Sequence, residues 1–170
     1  MWLKMIYKKI VLDDCLENYL KQYSKIKYKD ISLLKNLVEN EWYLLEYCDH
    51  NILKDILWLT DPTGNVILIN NKISSLWRLK FTIAHELWHA ILFNNWINEI
   101  NIEIEKKCDE FAWRLLVSEN HLIEAWKYEK SKNKLAKKFW VSDVCLEIRL
   151  DKENITPSET FWLAPILHNR

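Results

Sequence analysis

Residues 81–90 of the chain, FTIAHELWHA, place two histidines and a glutamate inside an otherwise apolar segment. An α-helix turns about 100° per residue, so His85 and His89, four residues apart, lie one above the other on the same helix face. The segment from Phe81 to Ala84 is largely apolar, which predicts that the helix is buried at this point. Buried imidazoles require partners. The segment therefore predicts a core helix that carries a polar site.

The spacing of these polar residues is typical of a zinc hydrolase helix. Two imidazoles four residues apart can hold one Zn²⁺, and Glu86 is turned to the side of that pair. A glutamate there can accept a proton from the attacking water and pass it on. The HExxH pattern is only moderately specific by itself, because a core helix can contain the same residues without binding a metal.

A second helix supplies candidate carboxylates. A catalytic zinc requires three protein ligands and one open position, so we expect Glu105 to complete a set with the two histidines. Asp109 lies four residues later on the same face and can accept a hydrogen bond from a ligand histidine, which fixes the imidazole tautomer. We expect Glu103 and Glu110 to form a solvated face. Cys108 lies beside Glu105 and could be a reactive or metal-binding thiol, but its helix position favours a small buried hydrophobic residue.

The composition excludes several classes of protein. The chain has 170 residues, enough for one domain with a substantial core. Lys and Arg total 24, as do Asp and Glu, and this balance argues against a chain built mainly to bind nucleic acid. We find no signal peptide and no stretch near the roughly 18 apolar residues of a membrane span. The scattered cysteines fit a reducing cytoplasm rather than a disulfide framework: Cys15, Cys48, Cys108 and Cys145.

The pattern along the chain predicts an α+β fold, mostly helical, with a small β-sheet before the HExxH helix. Asp13 and Asp30 are candidate helix N-caps. The predicted strands are 43–47 and 66–69, and the predicted helices are 13–23, 30–39, 76–93, 102–117, 118–128, 132–139 and 143–150.

Two longer segments resemble one family of enzymes. RLKFTIAHELWHAIL (78–92), followed by EKKCDEFAWRLLVSEN (105–120), resembles the ImmA/IrrE family of zinc metallopeptidases. The resemblance extends upstream through NVILINNKIS (65–74) and downstream through LAKKFWVSDVCLEIRL (135–150). The resemblance covers about residues 30–150 and implies a zincin-like metallopeptidase domain there. We expect the remaining segments to be an N-terminal helical extension at 1–29 and a C-terminal tail at 151–170.

The resemblance implies functional residues. It carries the zinc ligands onto His85, His89 and Glu105, and the catalytic glutamate onto Glu86, while Asp109 matches an acidic or amide position. Two positions depart from the family pattern. Phe93-Asn94 stands where many members have a histidine, so a polar contact is missing there, and Ser118 stands where proline is usual, although serine can also start a helix.

The resemblance also implies a function. We expect a cytoplasmic zinc-dependent endopeptidase that cleaves or inactivates a helix-turn-helix transcriptional repressor, in a system that governs mobile elements or stress responses. The alternative is a metal-stabilised interaction module of a toxin–antitoxin or phage-regulatory system, which binds its partner without cutting it.

Direct DNA binding is a further alternative. Ala136 and the segment 140–142 have the spacing of a helix-turn-helix motif. The helix that would read DNA is acidic, however, and would be repelled by phosphates. We therefore do not expect this protein to bind nucleic acid directly.

The glycine and tryptophan contents are abnormal. The chain has 1 Gly and 10 Trp, whereas an average composition gives about 12 Gly at this length. Trp88 stands where the family usually has Gly, and so do Trp140 in a tight turn and Trp113 in a helix contact, where Gly or Ala is usual. Some bacterial lineages read the UGA codon as glycine, and other codes read it as tryptophan. We therefore hypothesise that most of these tryptophans are glycine codons read with the wrong table.

Overall fold

The computed structural model describes residues 2–23, 30–49 and 56–155, with the side chains of 2–11 left aside. The predicted domain boundary at 29 and most of the predicted tail at 151–170 lie outside the described residues. The α+β prediction is confirmed, since a small sheet precedes the HExxH helix. The elements are α1 (Trp2–Tyr23), α2 (Ile31–Asn40), β1 (Leu44–Cys48), β2 (Trp58–Asp61), β3 (Val66–Asn70), α3 (Leu76–Asn94), α4 (Ile102–Leu116), α5 (Glu119–Tyr128), α6 (Lys132–Phe139) and α7 (Asp143–Lys152).

Helix starts follow the capping residues in most of the chain. The carboxylate of Asp30 accepts a hydrogen bond from the backbone N–H of Leu33 at 2.8 Å, as predicted for an N-cap. Asn101 caps α4 in the same way, through the N–H groups of Glu103 and Ile104. The prediction for Asp13 is wrong, because α1 begins at Trp2 and Asp13 lies inside it.

The sheet has the order β1-β3-β2, with β1 parallel and β2 antiparallel to the central strand β3. Ile67 and Ile69 of β3 are fully buried against the helices. The strand β2 was not predicted from the sequence. It lies at one edge of the sheet and directs the Thr60 side chain to α3.

Helix α3 lies at the centre of the fold. Every residue from Thr82 to Leu92 is buried, and α4 packs along this helix. The described part of α1 packs on α4, where the ring centroids of Tyr19 and Phe111 lie 5.5 Å apart and Arg114 pairs with Glu17. None of the described helices is both long enough and apolar enough to cross a membrane.

Four helices end in one kind of left-handed turn. After α2, α3, α6 and α7, a residue with positive φ is followed by a backbone N–H that bonds to the carbonyl five residues earlier. This is the Schellman motif, whose left-handed position usually holds glycine or asparagine. Asn154 occupies it after α7, but the other three positions are held by Trp42 (φ 66°), Trp96 (φ 61°) and Trp140 (φ 55°).

The indole rings at these three positions do not contribute to the core. The exposed fractions are 83% for Trp42, 90% for Trp96 and 62% for Trp140. A residue with a Cβ is strained in this backbone, and an exposed ring returns little burial energy. The turns therefore support our hypothesis that these positions encode glycine.

Trp88 is placed differently, in the core between α3 and α4. Its ring is fully buried and stacks on Phe111 with centroids 4.7 Å apart. Among the described residues no group accepts a hydrogen bond from its buried Nε1–H. Leaving such a donor unsatisfied costs about 1–3 kcal/mol.

Replacing Trp140 tests the strain in these turns. We expect Trp140→Gly to be more stable than Trp140→Ala by about 1 kcal/mol, because both variants lose the ring but only glycine loses the Cβ. The measurement is the free energy of unfolding from denaturant titration of both variants.

Glu124 provides the matched control, since it is exposed in the middle of the right-handed helix α5. There the order reverses, and Glu124→Gly is less stable than Glu124→Ala by roughly 0.5–1 kcal/mol. Equal free energies of unfolding for Trp140→Gly and Trp140→Ala would show that a Cβ at position 140 causes no backbone strain. UGG codons at positions 42, 96 and 140 in the gene would contradict the glycine hypothesis.

Candidate metal centre

The crossing of α3 and α4 brings the predicted site residues together. The helix α3 contributes one face of polar side chains, α4 contributes the facing carboxylates, and the edge strand β2 closes one side. The groups that meet are His85, Glu86 and His89 from α3, Glu105, Cys108 and Asp109 from α4, and Thr60 from β2.

The Glu105 carboxylate lies between the two imidazoles. Its Oε2 is 3.2 Å from Nε2 of His85, and its Oε1 is 3.3 Å from Nε2 of His89. Two ligand atoms on one tetrahedral zinc lie about 3.3–3.5 Å apart, given metal–ligand bonds of about 2.0–2.2 Å. Each of the two distances from Glu105 is one that a pair of ligands on a single zinc ion can have.

The Asp109 carboxylate holds the other nitrogen of His85. Its Oδ1 lies 2.9 Å from Nδ1, so Nδ1–H donates to it and Nε2 is left facing Glu105. Burial lowers the pKa of His85 most strongly, but the hydrogen bond to Asp109 and the charges of Glu86 and Glu105 outweigh it, so the pKa is raised.

His89 differs from His85 in its electrostatics. Burial lowers the pKa of His89, and the neighbouring His85 lowers it further. A neutral imidazole is therefore favoured. With Nε2 unprotonated, that nitrogen and the Glu105 carboxylate are two facing acceptors, and a bound cation would satisfy both.

Glu86 is buried beside the imidazoles rather than between them. The Thr60 hydroxyl donates to its Oε2 at 2.6 Å, and its Oε1 lies 3.9 Å from Nε2 of His85. Burial raises the pKa of Glu86, and the hydrogen bond from Thr60 opposes that shift. Thr60 was not predicted as a site residue, because its strand was not recognised in the sequence.

Cys108 also lies at the site. Its Sγ is 3.4 Å from Nε2 of His89, and the ligand atoms of His85, His89 and Cys108 all lie within 4.8 Å of one another. These three buried residues form a group that could hold a metal ion. The prediction that Cys108 is buried is confirmed, but the metal-binding alternative, which the sequence did not favour, agrees better with its position beside the imidazoles. The available signal was its position three residues after Glu105, which places both on one helix face.

The remaining carboxylates of α4 lie away from the imidazoles. Glu103 is exposed, and Glu110 pairs with Lys107 at 3.0 Å and with Arg114 at 3.4 Å. The exposure of Glu103 agrees with the predicted solvated face, whereas Glu110 is half-buried in its ion pairs and does not form part of such a face.

An open cleft borders the site. Phe93, which stands where many family members have a histidine, stacks on His89 with ring centroids 6.1 Å apart, so this wall of the cleft is apolar. The cleft is lined by Trp58, Leu59, Thr60, Glu86, His89, Phe93, Ile100 and Glu105.

The chain matches one family model over more than half of its length. The model of the Peptidase M78 family, described as the IrrE N-terminal-like domain, matches residues 46–151. The chain belongs to this family. The match confirms the resemblance drawn from the sequence and includes every residue of the site. No curated protein is significantly similar to the chain.

Removing the Asp109 carboxylate tests how the imidazoles are held. We expect Asp109→Ala to bind zinc about 10–100-fold more weakly, because His85 loses the partner that fixes its tautomer. Asp109→Asn should retain most of the affinity, since its amide oxygen can still accept from Nδ1–H. Competition with a zinc chelator measures the zinc affinity of each variant.

Glu103→Ala is the control, because it removes an exposed carboxylate from the same helix. Equal zinc affinities for Asp109→Ala and Glu103→Ala would show that Asp109 does not orient His85.

Proposed function

We propose that the protein is a zinc-dependent endopeptidase in which His85, His89 and Glu105 hold the metal. The observation that carries the proposal is the Glu105 carboxylate, which contacts both inward-facing Nε2 atoms at 3.2 and 3.3 Å. Membership of a peptidase family supports the reaction class. A His₂Glu set with an open fourth position is typical of catalytic rather than structural zinc.

Glu86 is the proposed general base. A bound zinc supplies polarisation of the scissile carbonyl and a lower pKa for the attacking water. Because Thr60 holds Oε2, the proton is accepted at Oε1, the carboxylate oxygen nearer to His85. Glu86 then donates this proton to the leaving amine. Its raised pKa favours the first step, because a carboxylate with a higher pKa is a stronger base.

The edge strand β2 provides a place for an extended substrate. It pairs with β3 on one side, and no described strand pairs with its other side. A peptide in extended form can bond to such an edge. Trp58, Leu59 and Phe93 give the adjoining cleft an apolar lining, which suits hydrophobic substrate side chains.

The proposed substrate is a helix-turn-helix transcriptional repressor, in the cytoplasm of the cell. This follows from the resemblance to the ImmA/IrrE family, in which many members cleave or inactivate a repressor encoded nearby. Cleavage would end repression of the linked genes.

A second candidate function is a metal-stabilised interaction module that binds its partner without cutting it. Cys108 is the observation that favours it, because a thiol near the two histidines offers a further ligand. Structural zinc sites use four protein ligands and leave no open position.

Incubation with the product of an adjacent gene that encodes a helix-turn-helix repressor tests the proposed reaction. We expect the wild-type protein to produce fragments, and Glu86→Gln to bind zinc normally but cleave at least about 10²-fold more slowly, because the amide cannot accept the proton. Electrophoresis and mass spectrometry measure the fragments.

Glu103→Gln is the matched control and should cleave like the wild type, since its carboxylate is exposed and outside the site. Undiminished cleavage by Glu86→Gln would remove the assigned role of Glu86. An intact complex that copurifies without fragments would favour the interaction module.

A further inference from the structure

Cys108 differs from the other buried thiol of the described chain. Cys145 is also buried, but the charged groups near its thiol are Arg149 and Lys80. Neither of these side chains binds metals readily. Cys108 instead faces the two imidazoles that are the proposed ligands. It lies one helical turn after Glu105, so both side chains approach the same point from α4.

The distances are those of two ligands on one ion. With a zinc–nitrogen bond of about 2.0–2.1 Å and a zinc–sulfur bond of about 2.3 Å, tetrahedral geometry puts the two ligand atoms roughly 3.5 Å apart. Cys108 Sγ and His89 Nε2 are 3.4 Å apart. The sulfur therefore reaches a metal bound at His89 without movement of either helix.

We propose that Cys108 is a ligand of the metal in the resting protein, completing a closed centre with His85, His89 and Glu105. The inference rests on the proposed function for the other three ligands. As the sulfur–metal bond forms, the thiol proton passes to solvent. With four protein ligands the metal has no open position for the attacking water, so the resting enzyme is inactive until the sulfur leaves the metal.

The cobalt-substituted full-length protein tests this inference. Cobalt(II) replaces zinc at such sites, and a cysteine thiolate bound to it gives an intense charge-transfer band in the near ultraviolet. We expect the wild type to show the band, and Cys108→Ala and Cys108→Ser to bind cobalt but lose the band completely. Cys145→Ala, which removes the other buried thiol, should keep it.

Zinc X-ray absorption gives an independent measurement. We expect one zinc–sulfur contact near 2.3 Å in the wild type and none in Cys108→Ala. The inference would be overturned if the cobalt-loaded wild type and cobalt-loaded Cys108→Ala had identical near-ultraviolet spectra.

The same samples separate this inference from the proposed function. Cobalt that binds without a charge-transfer band, and is lost in His85→Ala, would remove Cys108 from the ligand set and leave the peptidase proposal intact. Cobalt binding that is unchanged in His85→Ala would overturn both. Cleavage of the repressor should be faster for zinc-loaded Cys108→Ala than for the wild type, and equal or slower cleavage would contradict the inactive resting state.

Discussion

The packing of α4 against α3 is the interaction on which the rest of the structure depends. The helix α3 is buried from Thr82 to Leu92, so its polar side chains must find partners inside the protein. The partners come mainly from α4, through Glu105 and Asp109. Apolar residues of both helices, such as Leu87 and Phe111, are buried in one core cluster around these polar groups.

This packing creates a site with two demands that conflict. A hydrolytic centre needs an open position for water, whereas the two buried imidazoles and the buried thiol could all bind the metal together with Glu105 and leave no position open. Glu86 and the cleft along β2 lie on the open side, and Cys108 lies on the buried side. A centre that alternates between the two arrangements would combine a stable resting state with hydrolysis.

Much of the site could be predicted from the sequence, because helical spacing alone relates His85 to His89 and Glu105 to Asp109. Residues beyond that local geometry were missed. Thr60 reaches Glu86 from a short edge strand whose sequence, WLTD, has no clear alternation. The left-handed turns at Trp42 and Trp96 were missed because tryptophan is not a turn residue, although Trp140 was recognised.

The central claim is that α3 and α4 together bind one metal ion, and metal analysis of the purified protein tests it most directly. We predict close to one zinc per folded chain, and almost none in His85→Ala at unchanged helical content by circular dichroism. A well-folded wild-type protein with little zinc, or a His85→Ala variant with as much zinc as the wild type, would contradict the account.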